Sequence, residues 1–237
     1  MHQLGDAVSN KSYHLAFYIR LRRWMLRTSV GLLFRLGGRV QMTGFDNIPR
    51  GTPYVTAINH VSIYDPPLVL CMWPEALEVI GAVDVFDKPV QGELLKIYRT
   101  IPVHRGEIDR ELIDTMLSIL RSGHPLMIAP EGTRSHARGM QRAKPGVGYV
   151  LDEAGVPVVP VGLVGTNDDF LKKALHFRRP LLELRVGNPF RLPPVEGRGE
   201  ARRLARQRNA DLVMQHIAGL LPPEYRGVYA DSAISSA

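Results

Sequence analysis

Short apolar runs alternating with helical patterns constrain this chain more than any other feature. Tyr54-Val55-Thr56-Ala57-Ile58, Pro125-Leu126-Met127-Ile128-Ala129 and the stretch 156–164 are apolar almost throughout. A strand that is apolar at successive positions is buried on both faces, whereas a half-solvated strand alternates. Further extended stretches are read at 40–45, 78–83, 101–103 and 182–186. Helical patterns lie between them, at 66–73, 88–98, 107–122, 144–154 and 200–221. The pattern at 107–122 is the sharpest. Ile108, Leu112, Met116, Ile119 and Leu120 form one stripe, and Gly123 closes the helix. Strand followed by helix, repeated, predicts an α/β fold with a mostly parallel central sheet covered by helices. Ligands of such sheets bind beyond the carboxyl ends of the strands, so the loops there are where chemistry is sought.

The charge is not spread evenly. The chain of 237 residues carries a net charge of +7. Between Ala7 and Phe45 there are seven bases, Lys11, Arg20, Arg22, Arg23, Arg27, Arg35 and Arg39, and no acid. These seven account for the whole excess. The same segment holds Phe17, Trp24, Phe34 and many aliphatics, and it runs without Pro to Gly37-Gly38. Leu15, Tyr18, Ile19, Met25, Leu26 and Leu33 recur at helical spacing, with Arg20, Arg23, Arg27 and Arg35 towards other sides. An N-terminal basic amphipathic helical segment, residues 1–39, is therefore expected. Its aromatic and aliphatic content favours an in-plane membrane anchor drawn to anionic lipid. A helix packed on its own domain and a nucleic-acid arm are the alternatives; nucleic acid is not expected as a partner. No apolar run reaches the roughly 18–20 residues of a spanning helix. The expected location is the cytoplasmic face of a membrane, peripheral or monotopic. An α/β domain should cover 40–225, and the tail 226–237 should be disordered.

Cys71 is the sole cysteine, which excludes a disulfide framework and favours a reducing compartment. It lies in the apolar stretch 68–73, where a thiol is filler and not a nucleophile.

The chemistry centres on Asn59-His60-Val61-Ser62-Ile63-Tyr64-Asp65, followed by Pro66-Pro67. A strand ends at Asn59 and a helix opens near Asp65. His60 is the side chain suited to taking a proton near neutral pH. An acid beside it can hold one tautomer and stabilise the imidazolium. Five residues of regular helix would place the two side chains about 140° apart, so the intervening segment must turn. Asp65 at an N-cap with Pro66 at the first helical position is the purely structural reading.

Four stretches in this order resemble the glycerolipid acyltransferase family, whose best-known members acylate 1-acylglycerol-3-phosphate. Asn59-His60 through Asp65 is similar to its first motif, N-H-x-x-x-x-D. Ile101-Pro102-Val103-His104-Arg105 resembles the second. Pro130-Glu131-Gly132-Thr133-Arg134-Ser135 is similar to the third, and Val156-Pro157-Val158-Val159-Pro160-Val161-Gly162 to the fourth. The resemblance covers about residues 40–190. It implies acyl transfer from an acyl-thioester, on coenzyme A or an acyl-carrier protein, to the hydroxyl of a lysophospholipid acceptor. No cofactor or metal is expected. His60 would be the general base and Asp65 its orienting partner. Arg105 and Arg134, with Lys144 as a third cation, would grip phosphate. Gly132 and Thr133 would let the loop approach the substrate closely. Glu131 would accept from the glycerol or pair with an Arg. Ala129 and Pro102 stand where the family often has aromatics, which bears on the acceptor and not on the reaction. Glycerol-3-phosphate and other lyso-lipids are the runner-up acceptors. A metal hydrolase built on His60, Asp65, His104 and Glu131 and a non-catalytic membrane-binding module are the competing classes.

Overall fold

The computed structural model describes Tyr13 and residues 15–104, 110–135 and 139–234. It is an α/β fold around one seven-stranded sheet. The strands are β1 (Arg39–Thr43), β2 (Val55–Ile58), β3 (Glu78–Ala82), β4 (Ile101–Val103), β5 (Leu126–Ile128), β6 (Val158–Val164) and β7 (Leu181–Val186). Their spatial order is β1-β7-β6-β2-β5-β3-β4. Every pairing is parallel except β6 with β7. The helices are α1 (Phe17–Gly37), α2 (Asp65–Met72), α3 (Val83–Phe86), α4 (Pro89–Tyr98), α5 (Arg110–Arg121), α6 (Pro145–Ala154), α7 (Phe170–Leu175) and α8 (Gly199–Leu220).

The period-2 geometry of β2 divides the interior in two. Val55 and Ala57 face a cluster with Met116 and Leu120 of α5, Val150 and Leu151 of α6, and Val213 and Ile217 of α8. Tyr54 and Ile58 face the opposite layer, which includes Phe34 of α1, Leu68 and Val69 of α2, and Phe170 of α7. The central strands are buried at every position of β2 and β5, as their unbroken apolar character predicts. The mostly parallel sheet inferred from the alternation is the sheet observed.

The N-terminal helix is part of this fold, which corrects the picture of a separate segment. Ile19, Arg23, Gly31 and Phe34 are buried. Arg23, placed by spacing away from the apolar stripe, forms a buried ion pair with Glu78 of β3, Nη1 to Oε1 at 2.5 Å. Its Nε donates to the Tyr98 carbonyl at 2.7 Å. Arg27 donates to the carbonyls of Leu70 and Trp73, so it caps the C-terminus of α2. The stripe expected to be uniform is divided. Ile19 packs inward, while Tyr18, Met25 and Leu33 are exposed together with Phe17, Leu21, Trp24, Leu32 and Leu36. Two arginines thus point into the protein, and an apolar surface points away from it.

The expected disordered tail is also corrected. Gly227–Ser232 forms a 3-10 helix. Tyr229 is buried, its hydroxyl donating to Asp211 Oδ1 at 2.7 Å and accepting from the Ala143 amide at 3.0 Å. An aromatic ring with both hydrogen-bonding needs met holds a short segment that polar composition alone would leave loose. Residues 235–237 lie outside the described residues.

Candidate active site

Three adjacent parallel strands, β6, β2 and β5, deliver three loops to one edge of the sheet. The loop after β2 carries His60, that after β5 carries Glu131 to Arg134, and that after β6 carries Thr166 and Asp168. Asn59 ends β2 by substituting its side chain for the next ladder bond. Its Nδ2 donates to the Leu163 carbonyl at 3.1 Å, and its Oδ1 accepts from the Leu163 amide at 2.7 Å. The chain is then free to turn.

Within that turn, Asp65 reaches back over the segment that precedes it. Oδ2 accepts from the amides of Val61 at 2.7 Å and Ser62 at 2.6 Å, and it lies 3.0 Å from His60 Nδ1. Oδ1 accepts from the Thr166 hydroxyl. Asp65 is fully buried. It is not the N-cap that its position before two prolines suggested. Tyr64 occupies that position, and the helix begins at Asp65 itself. Four donors converge on the carboxylate, and the first turn offers it none in competition, because Pro66 and Pro67 lack N–H and the Leu68 amide is bonded to the Tyr64 carbonyl. The four donors also compensate the charge in an interior where an unpaired carboxylate would be costly.

Because an ionised carboxylate only accepts, the Nδ1–H of His60 donates to Asp65 and Nε2 keeps its lone pair. The ring is largely covered, with 17% of the side chain exposed. The backbone of His60 is clamped on both sides. Its amide donates to Glu131 Oε1 at 2.9 Å, and its carbonyl accepts from the Ser135 amide at 2.8 Å.

The described partners of Glu131 are backbone amides and not the Arg suggested by the motif. It is fully buried, and its other oxygen accepts from the Gln141 amide at 2.8 Å. Burial pushes its carboxyl up to about 7, against the opposing pull of the Gln141 and His60 amides. The carboxyl is a brace between the His60 loop and the segment leading to α6.

The cations are arranged unequally. Arg134 is partly exposed and lies 3.7 Å from Asp168, whose Oδ1 also accepts from Ser62 Oγ at 3.3 Å. Lys144 is exposed at the N-terminus of α6, with its amide bonded to the Pro130 carbonyl at 2.9 Å. Gly132 has φ +68°, and a Cβ there would lie 2.9 Å from Lys144 Cγ. The left-handed backbone is what calls for glycine, since the exposed Lys144 side chain can move aside. Thr133 is partly exposed in the same loop. Arg105 lies outside the described residues. Its strand, β4, is at the sheet edge, two strands away from β5.

Thr166 and Asp168 were not singled out as site residues from the sequence. The signal was present: Gly165-Thr166-Asn167 follows a buried strand at its carboxyl end, where a parallel sheet places its ligands. Cys71 is partly buried, and its thiol is pushed up to about 11 by burial, which keeps it protonated near neutral pH. Among the described residues no group of three or more His, Cys, Asp or Glu side chains is arranged to hold a metal ion.

The sequence pattern of the family described as Acyltransferase matches residues 39–164, more than half of the chain. The chain belongs to the acyltransferase family. The match covers His60, Asp65 and the 130–135 loop, and it ends at the last residue of β6, just before Thr166. Among curated relatives, this acyltransferase-family chain is 29% identical over 133 residues to the chloroplastic 1-acyl-sn-glycerol-3-phosphate acyltransferase of Brassica napus, covering 54% of this chain and 38% of that protein. It is 26% identical over 166 residues to the human 1-acyl-sn-glycerol-3-phosphate acyltransferase alpha, covering 69% and 57%. The chain thus spans less than two thirds of the length of each. The crystal structure of the 1-acyl-sn-glycerophosphate acyltransferase PlsC from Thermotoga maritima is similar in fold, with a TM-score of 0.55 at 19% identity over 85% of this chain and 83% of that one.

Proposed function

We propose that this protein moves a fatty acyl group from an acyl-thioester to the free hydroxyl of a 1-acylglycerol-3-phosphate, giving phosphatidate. The observation that carries the proposal is the His60–Asp65 pair. A fully buried carboxylate holds Nδ1, and Nε2 is left as a base at the carboxyl edge of the sheet. In this scheme His60 Nε2 takes the hydroxyl proton as the acceptor oxygen attacks the thioester carbonyl. The tetrahedral centre collapses with cleavage of the C–S bond. The imidazolium then returns its proton to the departing thiolate, so an ester and a free thiol leave together. Asp65 stabilises the imidazolium while it exists. Nothing becomes attached to the protein, and no bound cofactor takes part. The donor is the thioester of coenzyme A or of an acyl-carrier protein.

Arg134, Lys144 and Arg105 supply cations for the acceptor phosphate. Arg134 exchanges its long contact to Asp168 for phosphate oxygens, which offer the closer bidentate geometry. The acceptor is a bilayer lipid, so the site works at a membrane surface. No described helix is long and apolar enough to cross a membrane. The exposed Phe17, Leu21, Trp24 and Leu32 face of α1 suits in-plane seating on the cytoplasmic leaflet.

The test is free-thiol release from acyl-coenzyme A and acyl-carrier protein against lysophosphatidate, glycerol-3-phosphate and other lyso-lipids. Turnover greatest with lysophosphatidate, lost in His60→Ala, supports the proposal. A preference for glycerol-3-phosphate reassigns the acceptor. Unchanged turnover in a folded His60→Ala protein removes the base.

A further inference from the structure

A second apolar and basic surface lies beside α1, on the segment that follows the β6 loop. Leu171, Leu175 and Phe177 are exposed, Phe177 at 90% of its full area. Residues 170–182 contain Lys172, Lys173, Arg178 and Arg179 and no acid. This repeats, in thirteen residues, the composition of the N-terminal helix.

The segment is held firmly. Phe170 packs between Phe34 of α1 and Tyr64, with ring centroids 5.5 and 5.2 Å apart. Arg179 donates to the carbonyls of Arg35 at 2.9 Å and Gly38 at 3.3 Å, which fastens the tip to the end of α1. Phe177 has φ +54°, a left-handed conformation that is uncommon for a bulky residue. The turn is closed by amide bonds from Phe177 to Ala174 and from Arg178 to Lys173. These two bonds make a Schellman cap with Phe177 at its left-handed position, so the backbone that presents the exposed ring is fixed by the helix end.

We infer that α7 and its tip, through Leu171, Leu175 and Phe177, form a second lipid contact that seats in an anionic bilayer beside α1. Charge complementarity selects this occupant. Lys173 pairs with Asp169 at 2.8 Å, and Lys172 and Arg178 are exposed beside the apolar side chains, which suits acidic headgroups above an apolar layer. The exposed Leu32, Leu33 and Leu36 belong to the end of α1 that α7 touches. The inference rests on the proposed use of a membrane-resident acceptor and deepens it. Asp168 and Thr166 immediately precede α7, so seating this tip brings the mouth of the site against the lipid.

The experiment uses the full chain with vesicles of phosphatidylcholine alone or mixed with phosphatidylglycerol. Leu171→Ser/Leu175→Ser/Phe177→Ser is compared with Phe177→Ser alone and with Phe17→Ser/Trp24→Ser on α1. The triple variant should lose about tenfold or more in affinity for the anionic vesicles, since three partly immersed side chains contribute on that scale. Phe177→Ser should show part of that loss. Turnover with a vesicle-borne acceptor should fall in parallel, and turnover with a monomeric short-chain acceptor should not. If the α1 variant loses binding while the α7 variants bind as the parent does, the second contact is overturned and the lipid reading of α1 stands. If the parent ignores both vesicles, both readings fall. A dimer of the parent that the triple variant breaks, with vesicle affinity unchanged, would reassign the face to self-association. Vesicle binding is read without any reaction, so failure of the proposed activity would not be confused with failure of this contact.

Discussion

The Thr166 hydroxyl donates to Asp65 Oδ1, the oxygen that His60 does not touch. The two residues are 101 positions apart and are brought together by the adjacency of β2 and β6. His60, Asp65 and Thr166 form a line in which each member fixes the next. Replacing Thr166 with Val keeps the shape and leaves Oδ1 short of a donor inside the protein, at a cost of roughly 1–3 kcal/mol. The expected result is a fall in kcat of about tenfold or more with KM for both substrates unchanged. Thr166→Ser restores the hydroxyl and should recover most of the rate. Loss in the Ser variant with the rate kept in the Val variant would mean that the methyl group, and thus packing, is what matters.

Asp65→Asn tests charge separately from geometry. An Asn can turn its carbonyl towards Val61, Ser62 and His60 and its amide towards the Thr166 oxygen, which then accepts. The loop should survive, while the stabilisation of the imidazolium is lost. kcat/KM should fall by about 10²–10⁴-fold, the range typical of impaired acid–base catalysis, with an unchanged far-UV spectrum. Near-parent turnover in a folded Asp65→Asn protein would reduce Asp65 to an organiser of the turn.

Glu131 gives a prediction about pH. Its carboxyl titrates near 4.5 in the unfolded chain and near 7 in the fold, because burial disfavours the charge. Between those values the folded state holds a proton that the unfolded state has lost. The contribution of Glu131 to stability is therefore full below about pH 4.5 and fades as pH rises through 7. Glu131→Gln does not titrate. The stability of the parent relative to that variant should fall by up to about 3 kcal/mol across this window. Urea unfolding of both proteins at several pH values measures it. A difference that is constant, or that grows with pH, would show that the carboxyl is not raised.

Much of this arrangement could be read from residue order, and the limits have physical causes. The apolar runs marked the central strands because burial on both faces leaves no polar alternation. The neighbours of β2 follow from chain topology, which periodicity does not encode, so nothing but its place after a core strand marked Thr166. Asp65 before two prolines has the local signature of a cap, and only the donors of residues 60–62 and 166 show why it turns away. Glu131 lies in a loop with an Arg, which suggested an ion pair. The competing partners are backbone amides, which leave no trace in composition. The arginines of α1 point inward for a similar reason. A helical stripe records spacing, but whether Arg23 meets water or Glu78 depends on a strand more than fifty residues away.

That last pair sets the final prediction, which bears on truncation as well as on point variants. A self-contained domain covering 40–225 would fold without α1. In the structure such a deletion would remove Arg23 and leave Glu78, which is fully buried, without its cation. It would also uncover the surfaces under Ile19 and Phe34. Removing one partner of a buried ion pair costs about 3–5 kcal/mol, whereas replacing both with apolar residues is often close to neutral. Arg23→Leu and Glu78→Leu should each lower stability strongly, and the double variant should recover most of the loss. The deletion should unfold at markedly lower urea than the full chain even with no membrane present. If Arg23→Leu and the deletion both unfold at the parent midpoint, α1 is an appendage and the buried pair does not hold it.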